Sequence, residues 1–544
     1  MGHPTSHLSK PHGERVLYSW SPRTDTNPFK CSRPDIPMVR IVQISDTHFS
    51  NTYHFDAAAF GRGMDIVRKL PCDVAVHVGD VTEHGFEHEY QRARTELGEI
   101  ESLMCTPGNH DARNVGYTLF EKYFGKPQKV HVTDTLACAT FDSSIPDRNE
   151  GRIGKTDIKG MKRFLNDYSD YFTVVAFHHH LLPVPRSGRE RGLLTDAGNV
   201  LKVILDYRAD LVLSAHRHAF NVYRIEDTIV VNSATFSSYK TRAGDAPSFN
   251  YIYTKDGHVN VSRFDIGYET PHTEVRRRHY STLVPAATRK FRIVQLSDTH
   301  FGDTSDFRTD VYEAAVQKIN ALAPDIVVHA GDVTHDGLTG SFVTAREQLA
   351  RLPSPQLVVP GARDYMHLGS ELFYDYFSAD NVTLGDVHFI WADSVKHDEQ
   401  EGYIGRRQLK RIERQIDPKK MNVVVFHHHI VPVPYTRERD VIEDAGDVLN
   451  RLSGRVHLIL NGNRHVSFSS IIDGTVISNS NTLSSRRVHG RYGNTFNVID
   501  VLENNSVVIS EVGVTSGVHR VLGVYVPLLA CPHETHLTQQ AVSE

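Results

Sequence analysis

The sequence predicts a mixed α/β fold that occurs twice in tandem. One observation is an internal repeat: the segment VRIVQISDTHF, which ends at Phe49, returns as FRIVQLSDTHF, which ends at Phe301. Further segments recur in the same order, with only small insertions and deletions between the copies. The other observation is that short apolar β-branched runs alternate with longer stretches whose apolar residues recur every three or four positions. Each copy is far longer than a solenoid repeat and can bury a core of its own.

The repeat divides the 544 residues into two compact units with three flanking segments. The first unit spans residues 38–267, and the second spans residues 289–513. Residues 268–288 are polar and lack periodicity, which is typical of a linker. Residues 1–37 and 514–544 lack a core pattern, and we interpret them as terminal tails.

The elements of the first unit can be followed along the chain. Four apolar runs predict buried strands, namely VRIVQIS, VAVHV, FTVVAF and ADLVLS. Three amphipathic stretches predict helices, namely DAAAFGRGMDIVRKL, TDIKGMKRFLNDY and DAGNVLKVILDY. After His218 the pattern indicates only strands and turns. Polar motifs follow the strands directly, where α/β folds place their functional sites.

Composition limits the classes of function. The formal net charge of −5 offers no broad basic surface for a phosphate backbone, which argues against a nucleic-acid partner. No segment approaches the roughly 20 apolar residues needed to span a bilayer, and the start of the chain lacks the apolar region of a secretory signal. We therefore expect a cytoplasmic protein with no membrane partner.

Every strand-end loop of the first unit supplies side chains of the types that bind metal ions. These are Asp46 and His48 in SDTH, Asp80 in GDVTEHG, Asn109 and His110 in GNHD, His178, His179 and His180 in FHHH, and His216 and His218 in AHRH. Any one motif is weak evidence, but the ordered set is strong. Two divalent ions about 3.5–4 Å apart can hold both the attacking and the leaving oxygen of a displacement at phosphorus. The mixture of carboxylate, amide and imidazole ligands favours Mn, Fe or Zn.

These motif blocks resemble those of the calcineurin-like metallophosphoesterases, and the resemblance covers both units. The FHHH block followed by PVP, with DAG before the last block, is most similar to the class III cyclic-nucleotide phosphodiesterase branch. The resemblance implies a four-layer α-β-β-α metallophosphoesterase sandwich, duplicated in tandem.

The resemblance also implies roles for individual residues. One ion would be held by Asp46, His48 and His218, and the other by Asn109, His178 and His216, with Asp80 bridging the two. His178 comes first after its strand and matches the family's ligand, His179 is the alternative, and His180 is expected to have a packing role. His110 would lie beside the phosphate and stabilise charge or protonate the leaving oxygen, with Asp111 orienting its ring. The nucleophile would be a hydroxide activated by the two metals.

The second unit departs from this pattern. Ala362 and Arg363 stand where the first unit has Asn109 and His110, and Asn463 stands in place of His216. The candidate ligands that remain are Asp298, His300, Asp332, His427 and His465. One hypothesis is a catalytically inactive domain that packs on the first as an intramolecular pseudo-dimer. The other is a domain that binds one ion and a phosphoryl ligand, with the charge of Arg363 replacing the second ion.

The sequence therefore predicts a metal-dependent phosphoesterase whose first domain hydrolyses a small-molecule phosphodiester, with a cyclic nucleotide as the leading candidate. Alternatives within enzymes are a phosphomonoesterase or nucleotidase, and a nuclease. The alternative from another class is a regulatory or scaffold protein in which neither unit turns over. The intact GNHD block of the first unit argues against that last reading.

Overall fold

A computed structural model gives the structure of the chain for residues 37–266, 273–278, 287–302, 304–378, 380–436, 441–527 and 535–536. The predicted tail 1–37 lies almost wholly outside the described residues. Over the described ranges, none of the helices combines the length and apolar character that crossing a membrane requires.

The first unit contains twelve strands and five helices among its described residues. The strands are β1 (Arg40–Ile44), β2 (Val74–Val78), β3 (Leu103–Thr106), β4 (Lys129–Val132), β5 (Leu136–Thr140), β6 (Phe172–Ala176), β7 (Leu211–Ser214), β8 (Asn221–Ile225), β9 (Thr228–Asn232), β10 (Ser248–Lys255), β11 (His258–Asp265) and β12 (Thr273–Arg278). The helices are α1 (Ala57–Val67), α2 (Glu87–Leu97), α3 (Gly116–Phe124), α4 (Gly154–Asp167) and α5 (Ala197–Asp206).

The second unit repeats this order. Its strands are β13 (Arg289–Leu296), β14 (Ile326–His329), β15 (Gln356–Val358), β16 (Val382–Leu384), β17 (Val387–Trp391), β18 (Met421–Val425), β19 (Leu458–Asn461), β20 (Phe468–Ile472), β21 (Thr475–Asn479), β22 (Thr495–Leu502), β23 (Val507–Gly513) and β24 (His519–Tyr525), followed by the short β25 (Thr535–His536). Its helices are α6 (Thr309–Leu322), α7 (Thr339–Leu349), α8 (Gly369–Tyr376), α9 (Gly405–Gln415) and α10 (Ala445–Leu452), with a 3-10 helix at Ala362–Tyr365.

The strands form three sheets. One sheet has the order β25-β12-β11-β10-β1-β2-β3, and its counterpart in the second unit has the order β15-β14-β13-β22-β23-β24. The third is a twelve-stranded sheet, β16-β17-β18-β19-β21-β20-β8-β9-β7-β6-β5-β4, to which each unit contributes six strands. Strand β1 pairs parallel with β2, and β2 pairs parallel with β3. Their carboxyl ends therefore meet at one edge, where the site lies.

Each unit is a four-layer sandwich, as the sequence predicts. In the first unit, buried residues of α1, α2 and α3 cover the outer face of the sheet that contains β1. The inner face of that sheet packs on β5, β6 and β7 of the twelve-stranded sheet. Helices α4 and α5 cover the far side. The second unit has the same layers, with α6, α7 and α8 outside and α9 and α10 on the far side.

Helix α1 shows how local sequence produces these layers. The side chain of Asp56 caps its amino end by accepting a hydrogen bond from Ala59 N at 2.9 Å. Phe60, Met64 and Val67 are buried at spacings of four and three residues, so one face of the helix meets the sheet.

The two units meet edge to edge. Ile225 of β8 faces Ile472 of β20, and Glu226 N donates to the carbonyl of Ile471 at 2.9 Å. One cluster of buried residues includes side chains from α4 and α5 of the first unit and from α9 and α10 of the second. The twelve-stranded sheet and this core run across the junction.

Two segments differ from the sequence interpretation. Within the predicted linker 268–288, β12 adds a strand to the first unit's outer sheet by pairing with β11. Within the predicted tail 514–544, β24 pairs with β23 and buries Leu522 and Tyr525. Strand β24 lies at the edge of its sheet and buries few side chains, so the hydrophobic pattern that reveals central strands is weak in it. Strand β12 lies between β11 and β25, and its sequence TEVRRR contains one apolar residue, Val275, which is too few to show such a pattern.

Candidate metal centre

The predicted ligands lie on strand-end loops with an unusual backbone. Five of them have φ between 49° and 71°, namely Asp46, His48, Asp80, His216 and His218. This is the left-handed region of backbone conformation, which residues other than glycine adopt at a cost in free energy. Asp46 and His48 follow β1, Asp80 follows β2, and the other two follow β7. Such conformations cluster at functional sites because the surrounding structure must hold them.

Backbone hydrogen bonds fasten these loops to each other. The amide of Asp46 donates to the carbonyl of Gly79 at 2.9 Å, and the amide of His48 donates to the carbonyl of Asp80 at 3.0 Å. The amide of Ala215 donates to the carbonyl of His178 at 2.8 Å. The side chains are therefore directed from several strand ends into one space.

One cluster joins Asp46, His48, Asp80 and His218. Nε2 of His218 lies 3.1 Å from Oδ1 of Asp46, and Nε2 of His48 lies 3.8 Å from Oδ2 of Asp80. The two Nε2 atoms of His48 and His218 face each other at 3.1 Å. Nδ1 of His218 donates to the carbonyl of Lys240 at 2.5 Å, so the Nε2 lone pair points into the cluster. This is an arrangement that a shared cation stabilises.

A second cluster joins Asp80, His178 and His216, with Asn109 between them. Nε2 of His178 lies 3.3 Å from Oδ2 of Asp80 and 3.3 Å from Oδ1 of Asn109. Nδ1 of His216 lies 2.9 Å from the same amide oxygen. Because His178 donates through Nδ1 to the carbonyl of Val78 at 2.8 Å, its Nε2 can accept a cation. Asp80 belongs to both clusters.

Within the triple histidine, His178 reaches the cluster with Nε2 and the other two have different partners. His179 contacts Ser143 Oγ at 2.8 Å through Nδ1 and the carbonyl of Asn149 at 3.1 Å through Nε2. Nε2 of His180 lies 2.6 Å from Glu190 Oε1. The geometry thus favours His178 over the alternative, His179.

The electrostatics of the site suit a cation. Both carboxylate oxygens of Asp46 are buried and lack a hydrogen-bond partner among the described residues. Burial favours a higher pKa for Asp46, but His218 outweighs it and holds the pKa below its usual value. Burial likewise disfavours a charged His178, yet Asp80 raises its pKa to about 9. The imidazoles therefore supply positive charge to buried carboxylates, and metal ions can take over that function by displacing the protons.

His110 and Asp111 lie beside the clusters, but Asp111 does not have the expected contact. Nδ1 of His110 donates to the carbonyl of Glu83 at 2.8 Å, and burial lowers the pKa of its ring to about 4. The carboxylate of Asp111 instead accepts hydrogen bonds from Val81 N, Thr82 N, Thr82 Oγ1 and Gly108 N at 2.8–3.0 Å. The expectation that Asp111 orients the ring of His110 is therefore wrong. The ring of His110 lies against the main-chain carbonyl of Glu83. The carboxylate of Asp111 instead links its own loop to the loop that follows β2.

Glu83 is a site residue that the sequence analysis missed. Its Oε2 lies 2.7 Å from Nδ1 of His48, and its side chain is 4% exposed. Its Oε1 accepts a hydrogen bond from Lys240 Nζ at 2.8 Å. The available signal was the comparison between the repeats, since GDVTEHG has glutamate where HAGDVTHDG has His335.

The second unit keeps the first half of this arrangement. Asp298, His300 and His465 form one cluster, and Asp298, Asp332 and His427 form another. Nε2 of His465 lies 3.2 Å from Oδ1 of Asp298 and 3.3 Å from Nε2 of His300. The backbone at Asp298, His300, Asp332 and His465 has φ between 52° and 53°. The second unit therefore keeps the backbone conformation of the loops that carry these side chains.

The other half has lost its donors. Ala362 is buried and offers no ligand atom at the position of Asn109. Asn463 keeps the left-handed backbone of His216, with φ of 74°, and its amide N–H donates to Oδ2 of Asp298 at 3.0 Å. The amide N–H of Arg363 donates to Oδ1 of Asp332 at 2.8 Å, as that of His110 does to Asp80.

The chain matches one family model twice. The model is described as Calcineurin-like phosphoesterase, and it matches residues 39–220 and 291–467. Both matched segments contain the loops that form the clusters.

Curated relatives are similar at low identity. A probable glycerophosphodiester phosphodiesterase, GpdQ, of Arcobacter nitrofigilis is 28% identical over 196 residues, which are 31% of this chain and 72% of the relative. A probable cyclic nucleotide phosphodiesterase of Coxiella burnetii is 23% identical over 246 residues, 43% of this chain and 96% of the relative. The 3′,5′-cyclic adenosine monophosphate phosphodiesterase CpdA of Escherichia coli K12 is 24% identical over 191 residues, 33% of this chain and 70% of the relative.

Proposed function

The chain belongs to the calcineurin-like phosphoesterase family and is a metal-dependent phosphoric ester hydrolase; we propose that its first unit performs the hydrolysis with two metal ions. The observation that carries the proposal is the pair of clusters that share Asp80. Asp46, His48 and His218 would hold one ion, and Asn109, His178 and His216 the other. The second unit has no side-chain donor at the position of Asn109.

Two bound divalent ions would neutralise charge on the phosphoryl group and make water a stronger nucleophile near neutral pH. The residues of the chain determine where this happens. Asp80 separates the two groups of imidazoles and contacts both. His110 has Nδ1 committed to the carbonyl of Glu83, so Nε2 is available to exchange a proton or a hydrogen bond with the leaving oxygen of the substrate.

A small phosphodiester is the proposed substrate, with a cyclic nucleotide as the leading candidate. Relatives named for glycerophosphodiesters and for cyclic nucleotides support the diester preference. The acidic net charge disfavours a long nucleic acid, because such a substrate requires extended basic surface. A cytoplasmic location remains a prediction.

The second unit is proposed to be a non-catalytic partner that packs on the first as a pseudo-dimer. The amide of Glu190 in the first unit donates to the carbonyl of Glu443 at 2.7 Å, and the amide of Arg186 donates to Asp447 Oδ1 at 2.8 Å. The same loop of the first unit carries Gly192, whose Cα packs against the ring of His216. The loop of the first unit that contacts the second unit therefore also packs against His216, a predicted metal ligand.

The cluster of Asp298, His300 and His465 fits a single ion in the second unit. Oδ1 of Asp298 and Nε2 of His427 are both buried without a hydrogen-bond partner in the part of the chain that the structure describes. With one ion and no counterpart of His110, this unit lacks the means for two-metal hydrolysis.

A substrate panel tests the proposal. The full chain with added Mn²⁺ is assayed on a chromogenic diester, a chromogenic monoester, cyclic nucleotides and single-stranded DNA. We expect hydrolysis of the diester and of a cyclic nucleotide, and a loss of at least about 100-fold in kcat on alanine substitution of His110.

The matched pair His216→Ala and Asn463→Ala separates the two units. The first variant should lose hydrolysis, and the second should retain it. Hydrolysis that survives in His216→Ala would overturn the site assignment, and a preference for the monoester would overturn the substrate class.

A further inference from the structure

Glu83 connects the residues on the His48 side of the centre. Its carboxylate lies against Nδ1 of His48, and its main-chain carbonyl accepts the hydrogen bond from Nδ1 of His110. Its carboxylate also pairs with Lys240, whose main-chain carbonyl accepts from Nδ1 of His218. The Glu83–Lys240 pair is therefore bonded to three histidines, two of them predicted ligands.

The orientation of His48 depends on this contact. Nδ1 faces Oε2 of Glu83 at 2.7 Å, which directs Nε2 towards His218 and Asp80. Rotation of the ring would break the ion pair and leave the almost completely buried Glu83 carboxylate with Lys240 and with Nδ1 of His110, which lies 3.7 Å from Oε2. The contact thus fixes both the tautomer and the direction of the lone pair that meets the ion.

The second unit provides a natural comparison. His335 stands in place of Glu83, and His300 stands in place of His48. Among the described residues, His300 forms its carboxylate contacts through Nε2, with Asp298 Oδ1 at 4.0 Å and Asp332 Oδ2 at 3.8 Å, and no carboxylate faces its buried Nδ1 as Glu83 faces that of His48. The counterpart of the His218 contact is retained, because Nδ1 of His465 donates to the carbonyl of Arg487. The repeat has therefore lost the carboxylate partner while keeping the histidine.

The contact between Glu83 and His48 affects the nitrogen on the other side of the ring. A carboxylate on one ring nitrogen increases the electron density that the other nitrogen can donate.

We propose that Glu83 is a positioning residue for the metal centre, which orients His48 through Nδ1 and strengthens its Nε2 as a ligand. This inference rests on the proposed function, because it takes His48 as a ligand. A divalent cation is the ligand concerned, and Glu83 acts on it through the imidazole. Partners of this kind typically change metal affinity by about 10–100-fold when they are removed.

The test measures the affinity of the full chain for Mn²⁺ by competition with a chelating dye. Glu83→Gln keeps the shape and a hydrogen-bond acceptor but removes the charge, so we expect an affinity loss of about 10-fold; Glu83→Ala should lose up to about 100-fold. Glu89→Gln is the matched control. Glu89 is also buried, and its Oε1 lies 2.9 Å from Nδ1 of His84, which touches neither cluster. It should leave affinity unchanged.

The reverse substitution tests the same idea in the other unit. His335→Glu supplies a carboxylate beside His300, so it should strengthen Mn²⁺ binding at the Asp298 cluster. This measurement is independent of whether a Glu83 variant folds well, and circular dichroism of each variant checks the fold.

The outcomes distinguish this inference from the proposed function. If Asp46→Ala loses the ion while both Glu83 variants bind Mn²⁺ as the unmodified chain does, the positioning role is wrong and the site assignment stands. If Asp46→Ala keeps both ions, the site assignment itself fails. An unchanged affinity in His335→Glu would also contradict the positioning role.

Discussion

At the scale of single residues, the centre is a set of buried charges whose partners are individually identifiable. Burying a carboxylate costs free energy unless its charge is balanced and its oxygens are bonded. Asp46 and Asp80 are balanced by imidazoles, whereas Asp111 is balanced by main-chain amides. The first two carboxylates are thus available to a cation, and the third is not.

Asp111 should act on stability rather than on chemistry. Asp111→Ala leaves the amides of Val81, Thr82 and Gly108 buried without their acceptor, at a cost of about 1–3 kcal/mol each. We expect the unfolding temperature to fall markedly, with a loss of activity only in proportion to the folded fraction. Thermal unfolding and active-site titration measure both.

Asp364 in the second unit is the matched control, because it accepts the same four hydrogen bonds. Asp364→Ala should destabilise the chain to a similar extent and spare kcat. A fully stable Asp111→Ala protein with a strongly reduced kcat would show instead that Asp111 acts on His110.

At the scale of secondary structure elements, the two units interlock through glycines at helix starts. Gly198 in α5 approaches Val433 of the second unit so closely that an added Cβ would lie 2.0 Å from its carbonyl oxygen. Gly446 in α10 approaches Val184 of the first unit, where a Cβ would lie 2.5 Å from the carbonyl carbon. The PVP and DAG segments, which the sequence analysis used as marks of a family branch, meet here across the junction.

Alanine at either position should loosen the junction. Gly198→Ala forces the backbone of one unit away from the other, and overpacking of this kind costs about 1–3 kcal/mol. We expect a lower unfolding temperature and faster proteolysis between the units.

Gly61→Ala on helix α1 is the control, because a Cβ there meets no described atom within 4 Å. It should stabilise the chain by about 0.5–1 kcal/mol. Equal unfolding temperatures for Gly198→Ala and Gly61→Ala would contradict the close packing of the junction.

The strands and helices that the sequence predicted are those with a strong hydrophobic pattern. All four predicted central strands and the three predicted helices of the first unit are present, because buried strands and amphipathic helices carry strong periodic signals. Strand β24 escaped prediction because an edge strand buries little, and β12 escaped it because its sequence TEVRRR contains one apolar residue. The hydrogen bond from His110 to the main-chain carbonyl of Glu83 could not be predicted from the sequence, because every residue type has such a carbonyl.

At the scale of the whole molecule, two copies of one fold share a sheet and a core but differ in the centre that each carries. The repeat, the fold and the types of the ligand residues could be read from the sequence. The resemblance already favoured His178 in the triple histidine, and the partners of the three rings support that choice. The role of Glu83 required the arrangement of loops in space, because its contacts join residues that are distant in sequence.

Removal of metal should affect activity and stability together. A chelator should abolish diester hydrolysis and lower the unfolding temperature, because Asp46 and Asp80 lose their cations and ligand binding stabilises the folded state. Added Mn²⁺ should restore both. Hydrolysis that continues after complete chelation, verified by elemental analysis, would contradict a metal-dependent centre.

The central claim is that hydrolysis belongs to the first unit, and the matched variants Asp80→Ala and Asp332→Ala test it most directly. Bound metal and hydrolysis of a chromogenic diester are measured on both full-length proteins. The account predicts that Asp80→Ala loses two ions and at least about 100-fold in kcat, since it removes the carboxylate that both ions share, while Asp332→Ala keeps its activity. Loss of hydrolysis in Asp332→Ala, with activity retained in Asp80→Ala, would contradict it.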